Sequence, residues 1–225
     1  MIRVIVTGAS DGIGKSIAIK LAKDGYQVVL FGRDEHRLAK VSSLCNNAEY
    51  HAFDLNDIKL MKRAVKSVLE NGEVDILINN AGIWHAVGDL ESLTYEKIIE
   101  VINTNLTSQI ILTKELLPHV KNRKNSFIVN VVSKSGITAQ AGQSVYSASK
   151  WGLRGFTDVL RVDTKDYPVK IIGVYQSGTN TKLFEKAGDD FPINEFTNPD
   201  DLANVIAFIL QQPDNLKINE IRIER

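Results

Sequence analysis

The sequence predicts an α/β fold in which a doubly wound parallel sheet carries helices on both faces. Short apolar segments rich in β-branched residues alternate with segments in which apolar residues recur at helical spacing. Most of the apolar segments end at glycine or at a polar residue, as strands that run into turns do. Strands that alternate with helices pair in parallel, because each helix carries the chain back across the sheet.

Seven strands are expected, and the first is short and β-branched, as a strand buried on both faces should be. No linker, internal repeat or composition change divides the chain, so we expect one domain over residues 1–225. The predicted strands cover residues 2–6, 26–31, 49–53, 74–78, 126–132, 169–175 and 216–223.

The segments between the strands have helical periodicity. In the second predicted helix, Leu38, Val41 and Leu44 are expected to face inward. Residues 179–197 are polar and less regular, which predicts a loop. The other helices are expected over residues 15–23, 94–120, 144–167 and 199–210, the last with proline at its start. One more helix is expected near residues 58–69, a segment that includes Ile58.

The composition disfavours several classes of function. The chain has 27 basic and 27 acidic residues, so no overall charge attracts nucleic acid or an anionic membrane. No apolar stretch has the length of a membrane span, and no leader precedes the first strand, so neither a membrane protein nor a signal peptide is expected. Cys45 is the only cysteine, which fits a cytoplasmic protein, and the four histidines lack the spacing of metal ligands.

A glycine-rich turn follows the first strand, with the sequence Thr7-Gly8-Ala9-Ser10-Asp11-Gly12-Ile13-Gly14. Its glycines permit a sharp turn, let the backbone approach a diphosphate, and let the helix pack closely on the strand. The helix N-terminus then directs free N–H groups towards phosphates. A turn that binds no ligand is the alternative that this segment alone leaves open.

Polar residues follow the predicted strands at one edge of the sheet. Ligands of doubly wound sheets bind beyond the carboxyl ends of the strands, so this shared edge predicts a binding site. The residues brought there are 8–14, Arg33, Asp54, 79–82, Ser133 and Gly178.

Tyr146 and Lys150 lie four residues apart on a predicted helix and therefore share one face. A free phenol has a pKa of about 10, which is too high for a base at neutral pH. We expect the nearby ammonium to stabilise the phenolate and to lower the pKa of Tyr146. The alternative is an ordinary surface pair.

Five motifs occur in order along the chain: Thr7-Gly8-x-x-x-Gly12-x-Gly14, Asn79-Asn80-Ala81-Gly82, Asn105, Ser133 and Tyr146-x-x-x-Lys150. Together these motifs resemble the short-chain dehydrogenase/reductase family over essentially the whole chain. Any one of them is weak, but their order on the predicted strand ends argues against a chance match. The resemblance implies a Rossmann-like fold and NAD(P)-dependent hydride transfer between the nicotinamide and a secondary alcohol or its carbonyl.

The resemblance also implies a role for each of four catalytic residues. Tyr146 would transfer the proton to or from the substrate oxygen, and Lys150 would tune it and hold the nicotinamide ribose. Ser133 would orient the substrate oxygen; its alternative is an ordinary serine in a turn. Asn105 would lie at a local helix break and organise a water path to Lys150; its alternative is a cap or a polar contact in the core.

The cofactor site is implied in the same way. Asp54 would bind adenine, with a plain turn aspartate as the alternative, and Ser177-Gly178 departs from the usual Pro-Gly, which leaves the rigidity of that turn open. The implied cofactor-binding residues are Gly8, Ser10, Gly12, Ile13, Gly14, Arg33, Asp54, Leu55, Asn80, Ala81, Gly82, Tyr146, Lys150, Thr179 and Thr181.

The end of the second strand favours NADP over NAD. NAD binders usually carry a carboxylate at this position for the ribose hydroxyls, but here Gly32 is followed by Arg33, and a guanidinium suits a phosphate. Asp11 argues for NAD, since many NADP-using relatives carry a basic residue there.

The substrate pocket is expected between residues 83–85, 134–143 and a lid at about residues 179–197. Trp84 would either stack on a substrate or cover the loop. The main alternative function is a non-catalytic NADP-sensing protein on the same fold; epimerase or dehydratase chemistry is disfavoured by the compact chain.

Self-association is expected as well. Two predicted helices, residues 94–120 and 144–167, carry apolar residues on more than one face, and family members commonly pair them. We therefore expect a homodimer or homotetramer, with Trp151 on the outer face.

Overall fold

The computed structural model describes residues 1–225 and contains one sheet of seven parallel strands, as predicted. The strands lie in the order β3-β2-β1-β4-β5-β6-β7. The order reverses between β1 and β4, so the loops after these two strands diverge and leave a crevice at the carboxyl edge of the sheet. The strands are β1 (Arg3–Thr7), β2 (Gln27–Gly32), β3 (Glu49–Ala52), β4 (Ile76–Asn79), β5 (Phe127–Val131), β6 (Lys170–Gln176) and β7 (Glu220–Ile223).

Helices cover both faces of the sheet, each with its own apolar core. Val4 and Val6 of β1 pack into one core and Ile5 into the other, because successive side chains of a strand point to opposite faces. None of the helices is both long and apolar enough to cross a membrane. One face carries α1 (Gly12–Lys23), α2 (Glu35–Leu44) and α7 (Pro199–Leu210), and the other carries α3 (Ile58–Glu70), α5 (Ser108–Val120) and α6 (Ser144–Asp163).

The helix predicted over residues 94–120 is interrupted. Its first part, α4, covers Tyr95–Ile102, and Asn103–Thr107 form a π turn before α5 begins. A π turn inserts one residue into the helical ladder and is frequent at functional sites. The break implied by the resemblance is therefore present, with Asn105 at its centre.

One predicted core position is wrong. Leu44 is 56% exposed, because α2 ends there and the adjacent Cys45 takes the buried position. Ile58 begins α3, within the segment predicted to be helical, but it is exposed, and the buried residues of α3 begin at Met61.

Candidate active site

The turn after β1 requires glycine at two positions. Gly8 has a φ of +66°, which side chains rarely adopt, and a Cβ on Gly14 would lie 2.3 Å from the Gly8 carbonyl oxygen. Asp11 caps α1 by accepting a hydrogen bond of 2.8 Å from the Gly12 N–H. The turn thus brings the start of α1 directly against the end of β1.

Thr7 ties this turn to the loop after β4. Its hydroxyl oxygen accepts hydrogen bonds from the backbone N–H groups of Asn80 (2.9 Å) and Ala81 (3.0 Å), while the Asn80 side chain donates to the Thr7 carbonyl. These bonds fix the two loops that flank the crevice. Thr7 belongs to the predicted glycine-rich motif, but this role does not follow from the sequence.

Two neighbouring cavities open at this edge. The larger, of about 380 Å³, is lined by most of the predicted cofactor residues, and the smaller has a volume of about 230 Å³. Two predicted cofactor residues do not line the larger cavity: Gly14 packs beneath the turn, and Thr179 lines the smaller cavity. Tyr146 and Thr181 line both cavities. The predicted residues that line the larger cavity are Gly8, Ser10, Gly12, Ile13, Arg33, Asp54, Leu55, Asn80, Ala81, Gly82, Tyr146, Lys150 and Thr181.

Tyr146 and Lys150 are buried side by side on α6, with exposed fractions of 6% and 4%. The Lys150 ammonium lies 5.8 Å from the centre of the Tyr146 ring and donates to the Val131 carbonyl at 3.1 Å. Burial raises the pKa of Tyr146 to about 12 and lowers that of Lys150 to about 8. The pKa of Tyr146 is therefore raised and not lowered as expected, because burial disfavours the phenolate more than the neighbouring groups favour it.

Ser133 lies at the end of β5 with its hydroxyl near Tyr146. Burial is the larger influence on the pKa of the Tyr146 phenol and raises it, whereas a hydrogen bond with Ser133 lowers that pKa. The backbone of Ser133 has a φ of +125°, a conformation that is costly for any residue except glycine. A strained serine beside a buried tyrosine is the arrangement expected where a side chain is held for chemistry.

Asn105 holds the loop after β4 from the π turn. Its side-chain oxygen accepts from the Ile83 N–H at 2.8 Å, and its amide donates to the Ile83 carbonyl at 2.9 Å and to the Ser149 hydroxyl at 3.2 Å. The amide thus makes polar contacts within the core, and the water path to Lys150 that the resemblance implies stays a prediction.

His85 supports the start of α6, a role that the sequence analysis missed. The buried ring accepts a hydrogen bond at Nε2 from the Tyr146 backbone N–H (3.1 Å), and its Nδ1 lies 2.9 Å from the Ala86 carbonyl oxygen. Nδ1 must therefore carry the proton. A histidine three residues after the motif of residues 79–82 is the only sequence signal for this contact.

The 179–197 segment is fastened across both cavities. Lys186 donates to the Asp11 carboxylate at 2.8 Å, and Asp189 accepts from the indole N–H of Trp84 at 2.6 Å. Trp84 also packs edge-on against Tyr146 and Phe184, with ring centres 4.5 and 5.2 Å apart. Trp84 therefore covers the loop and also lines the smaller cavity, while its stacking on a substrate stays a prediction.

Basic groups surround the end of β2. Arg33 is exposed and forms no ion pair, whereas Arg37 lies 3.2 Å from Asp11. Burial favours the neutral form of the Asp11 carboxyl, but Lys186, the Gly12 N–H and Arg37 together lower its pKa. The carboxylate that argued for NAD is thus already paired with two cations.

The comparison with known proteins identifies the family. Residues 3–191 match the sequence model of the short chain dehydrogenases. The chain belongs to the short-chain dehydrogenase family. This confirms the resemblance found in the sequence, and the parallel sheet described above is the fold of its structural neighbours.

Three proteins illustrate what this short-chain dehydrogenase is similar to. An uncharacterized oxidoreductase of Staphylococcus saprophyticus is 31% identical, over 97% of this chain and 95% of that protein. The NADP-dependent 3-hydroxy acid dehydrogenase of Schizosaccharomyces pombe is 30% identical, over 96% and 89%. An alcohol dehydrogenase from the archaeon Thermococcus sibiricus, solved with 5-hydroxy-NADP, is 26% identical with a TM-score of 0.91, over 99% and 96%. None of these names supports the alternative of a non-catalytic sensing protein.

Proposed function

We propose that this short-chain dehydrogenase uses NADP(H) to interconvert a carbonyl compound and its alcohol, with Tyr146 as the proton-transferring residue. The observation that carries the proposal is that Tyr146 lines both cavities, next to Ser133 and Lys150. A cofactor in the larger cavity and a substrate in the smaller one would meet at this side chain.

The larger cavity suits NADP in several respects. The glycine-rich turn and the start of α1 suit a diphosphate. Gly32 carries no carboxylate that would repel the 2′-phosphate, and a side chain here would be tight, because a Cβ would lie 3.3 Å from Leu38 and 3.4 Å from Ser10. The Gln176 side-chain oxygen is buried without a hydrogen-bond partner and borders both cavities, so it suits an amide N–H such as that of the nicotinamide. Of the proteins named above, the Schizosaccharomyces pombe dehydrogenase is NADP-dependent and the Thermococcus sibiricus enzyme was solved with 5-hydroxy-NADP, which also supports NADP.

The chain's own residues supply the proton. When bound, the nicotinamide supplies the hydride. The hydroxyls of Ser133 and Tyr146 would donate hydrogen bonds to the substrate carbonyl oxygen, and the Tyr146 proton would move to that oxygen as its negative charge develops. The Lys150 ammonium would stabilise the resulting phenolate. Because the phenol of Tyr146 is protonated at neutral pH, reduction is the direction for which it is poised.

A turnover screen tests this proposal. Ketones, aldehydes and secondary alcohols would be offered with NADPH, NADH, NADP and NAD, and the change in nicotinamide absorbance followed. We expect carbonyl reduction with NADPH. The absence of turnover across the panel, with NADPH nevertheless bound, would favour a non-catalytic role instead.

The pH dependence of reduction follows from the two shifted pKa values. Lys150 is charged below its pKa of about 8, and Tyr146 stays protonated up to about 12. We expect kcat/KM for reduction to be level near neutrality and to fall about tenfold for each pH unit above about 8, as Lys150 loses its proton. In Lys150→Arg the guanidinium stays charged, so any activity that remains should not show this fall. A wild-type profile that stays level to about pH 10 would contradict the assignment.

Cofactor choice should depend on Arg33. We expect Arg33→Ala to weaken NADPH binding about 10- to 100-fold, because a hydrogen bond to a charged group contributes about 1.5–3 kcal/mol, and to leave NADH binding nearly unchanged. Fluorescence titration with each cofactor measures the effect. Arg63, an exposed arginine of α3 without an ion pair, gives a matched control in Arg63→Ala. Equal losses for both cofactors would show that Arg33 does not contact the 2′-phosphate.

We also propose that the protein is a homo-oligomer that pairs through α6. Trp151, Val159 and Val162 recur on one face of this helix and are 46%, 59% and 66% exposed, and α4 adds the exposed Ile99 beside it. Burying such a face would bring apolar surface out of water. We expect Trp151→Glu to reduce the mass seen by sedimentation, whereas Leu44→Glu, at an exposed leucine of α2, should not. A wild-type monomer at micromolar concentration would rule the proposal out.

A further inference from the structure

The smaller cavity has one aromatic wall. The rings of Trp84, Phe184, Phe191 and Phe196 line it and contact one another edge to face or tilted, with the Phe184 ring centre 5.0 Å from that of Phe191 and 5.7 Å from that of Phe196. Phe196 presses on the backbone at Gly178, where a Cβ would lie 2.8 Å from the ring. This wall presents apolar surface to whatever lies beside Tyr146.

The cavity is also lined by polar residues, and three of them are already engaged with each other. The Ser135 hydroxyl donates to the Gln143 side-chain oxygen at 2.9 Å, and the Gln143 amide donates to the Gln140 side-chain oxygen at 2.6 Å. These residues provide no charge, and their mutual bonds leave few donors for an anion.

Lys134 is the only basic residue that lines this cavity, and it is paired with a carboxylate. Its ammonium lies 3.0 Å from the Glu224 carboxylate, just beyond β7. The next residue, Arg225, donates to the Phe196 carbonyl at 2.8 Å, so the same short segment touches two residues that line this cavity. The 179–197 segment adds four carboxylates and two lysines, and one of those lysines is paired with Asp11.

We infer that the substrate is an uncharged carbonyl compound with a ring-sized apolar or aromatic substituent, and that the Lys134–Glu224 ion pair excludes keto and hydroxy acids. A carboxylate placed in this cavity would lose its hydration without gaining a free cation, which is unfavourable. The volume of about 230 Å³ is sufficient for a ring, since an apolar cavity of about 150 Å³ holds benzene. This inference rests on the proposed function and specifies its substrate.

A matched pair of substrates tests the charge preference. Methyl benzoylformate and benzoylformate share the ketone and the phenyl ring and differ in that only the second carries a carboxylate. We expect wild-type kcat/KM with NADPH to favour the ester by about tenfold or more. Methyl pyruvate, which lacks the ring, should be the poorer ester, because it leaves the aromatic wall uncovered. A preference for benzoylformate over its ester would overturn the inference.

A pair of variants tests the role of Glu224. Glu224→Gln frees the Lys134 ammonium and should raise the ratio of acid to ester kcat/KM about tenfold, which corresponds to about 1.4 kcal/mol. Glu220 pairs with Arg222 at 3.0 Å in the same part of the chain, so Glu220→Gln is the control and should leave this ratio at its wild-type value. An unchanged ratio in Glu224→Gln would overturn the role assigned to the ion pair.

Binding separates failure of this inference from failure of the proposed function. Trp84 lines the cavity and the only other tryptophan is Trp151, so the fluorescence of Trp84 can be followed in a Trp151→Phe background. We expect the ester to quench this fluorescence at a lower concentration than the acid. Tighter binding of the ester without any turnover would refute the proposed function and support the selectivity. Turnover together with tighter binding of the acid would support the proposed function and refute the selectivity.

Discussion

Tyr146→Phe is expected to reduce carbonyl turnover by about 10²- to 10⁴-fold, the range that a positioned proton donor contributes. The substitution removes only the phenolic hydroxyl and keeps the ring between Trp84 and the body of α6. The backbone N–H that donates to His85 is also unchanged, so the start of the helix should keep its support. NADPH affinity should stay close to that of the wild type.

Tyr175→Phe is the matched control for this experiment. Tyr175 is also buried, and its hydroxyl has no hydrogen-bond partner, so its removal should cost nothing in turnover. Steady-state kinetics and NADPH titration of both variants separate the proton-transfer step from cofactor binding. Wild-type turnover in Tyr146→Phe would refute the role assigned to this residue.

Ser133→Gly and Ser133→Ala should both lose about 10²- to 10³-fold in kcat, the typical cost of removing one hydrogen-bond donor to a developing oxyanion. Their stabilities should differ. Glycine tolerates the φ of +125° at this position, whereas alanine retains the strain, which is of the order of 1–3 kcal/mol. We therefore expect the glycine variant to unfold at a higher denaturant concentration than the alanine variant.

This pair measures backbone strain and chemistry separately. Both variants lose the hydroxyl that accepts from the Ser135 N–H at 3.2 Å, so that loss cancels in the comparison. Denaturant unfolding followed by circular dichroism gives the stability difference, and kinetics with NADPH gives the loss of activity. Because glycine also costs about 0.4–1 kcal/mol in unfolded-chain entropy, a lower midpoint for the glycine variant would show that residue 133 carries no strain.

Much of the candidate site could be predicted from the sequence because its residues follow strand ends. Parallel strands bring their carboxyl ends to one edge, so Gly8, Asn80 and Ser133 had to lie near one another once the strands were recognised. The four-residue spacing of Tyr146 and Lys150 likewise required only that the segment be helical.

The remaining features depend on contacts between distant parts of the chain. Lys186 and Asp11 are 175 residues apart, and no local pattern indicates that a lysine of an irregular loop meets the glycine-rich turn. The pKa of Tyr146 was predicted in the wrong direction for the same reason. Its direction depends on how completely the chain buries the phenol, which only the folded packing determines.

The π turn at Asn103–Thr107 limits how the length of this segment can change in evolution. A π turn holds one residue more than the α-helical turn that it replaces, so deleting one residue here would give an unbroken helix in which α4 and α5 keep their facing. Leu112 would then stay in the core, and the change would fall on the turn from which Asn105 holds Ile83. A one-residue deletion is therefore expected to spare the packing on the sheet and to disturb the site.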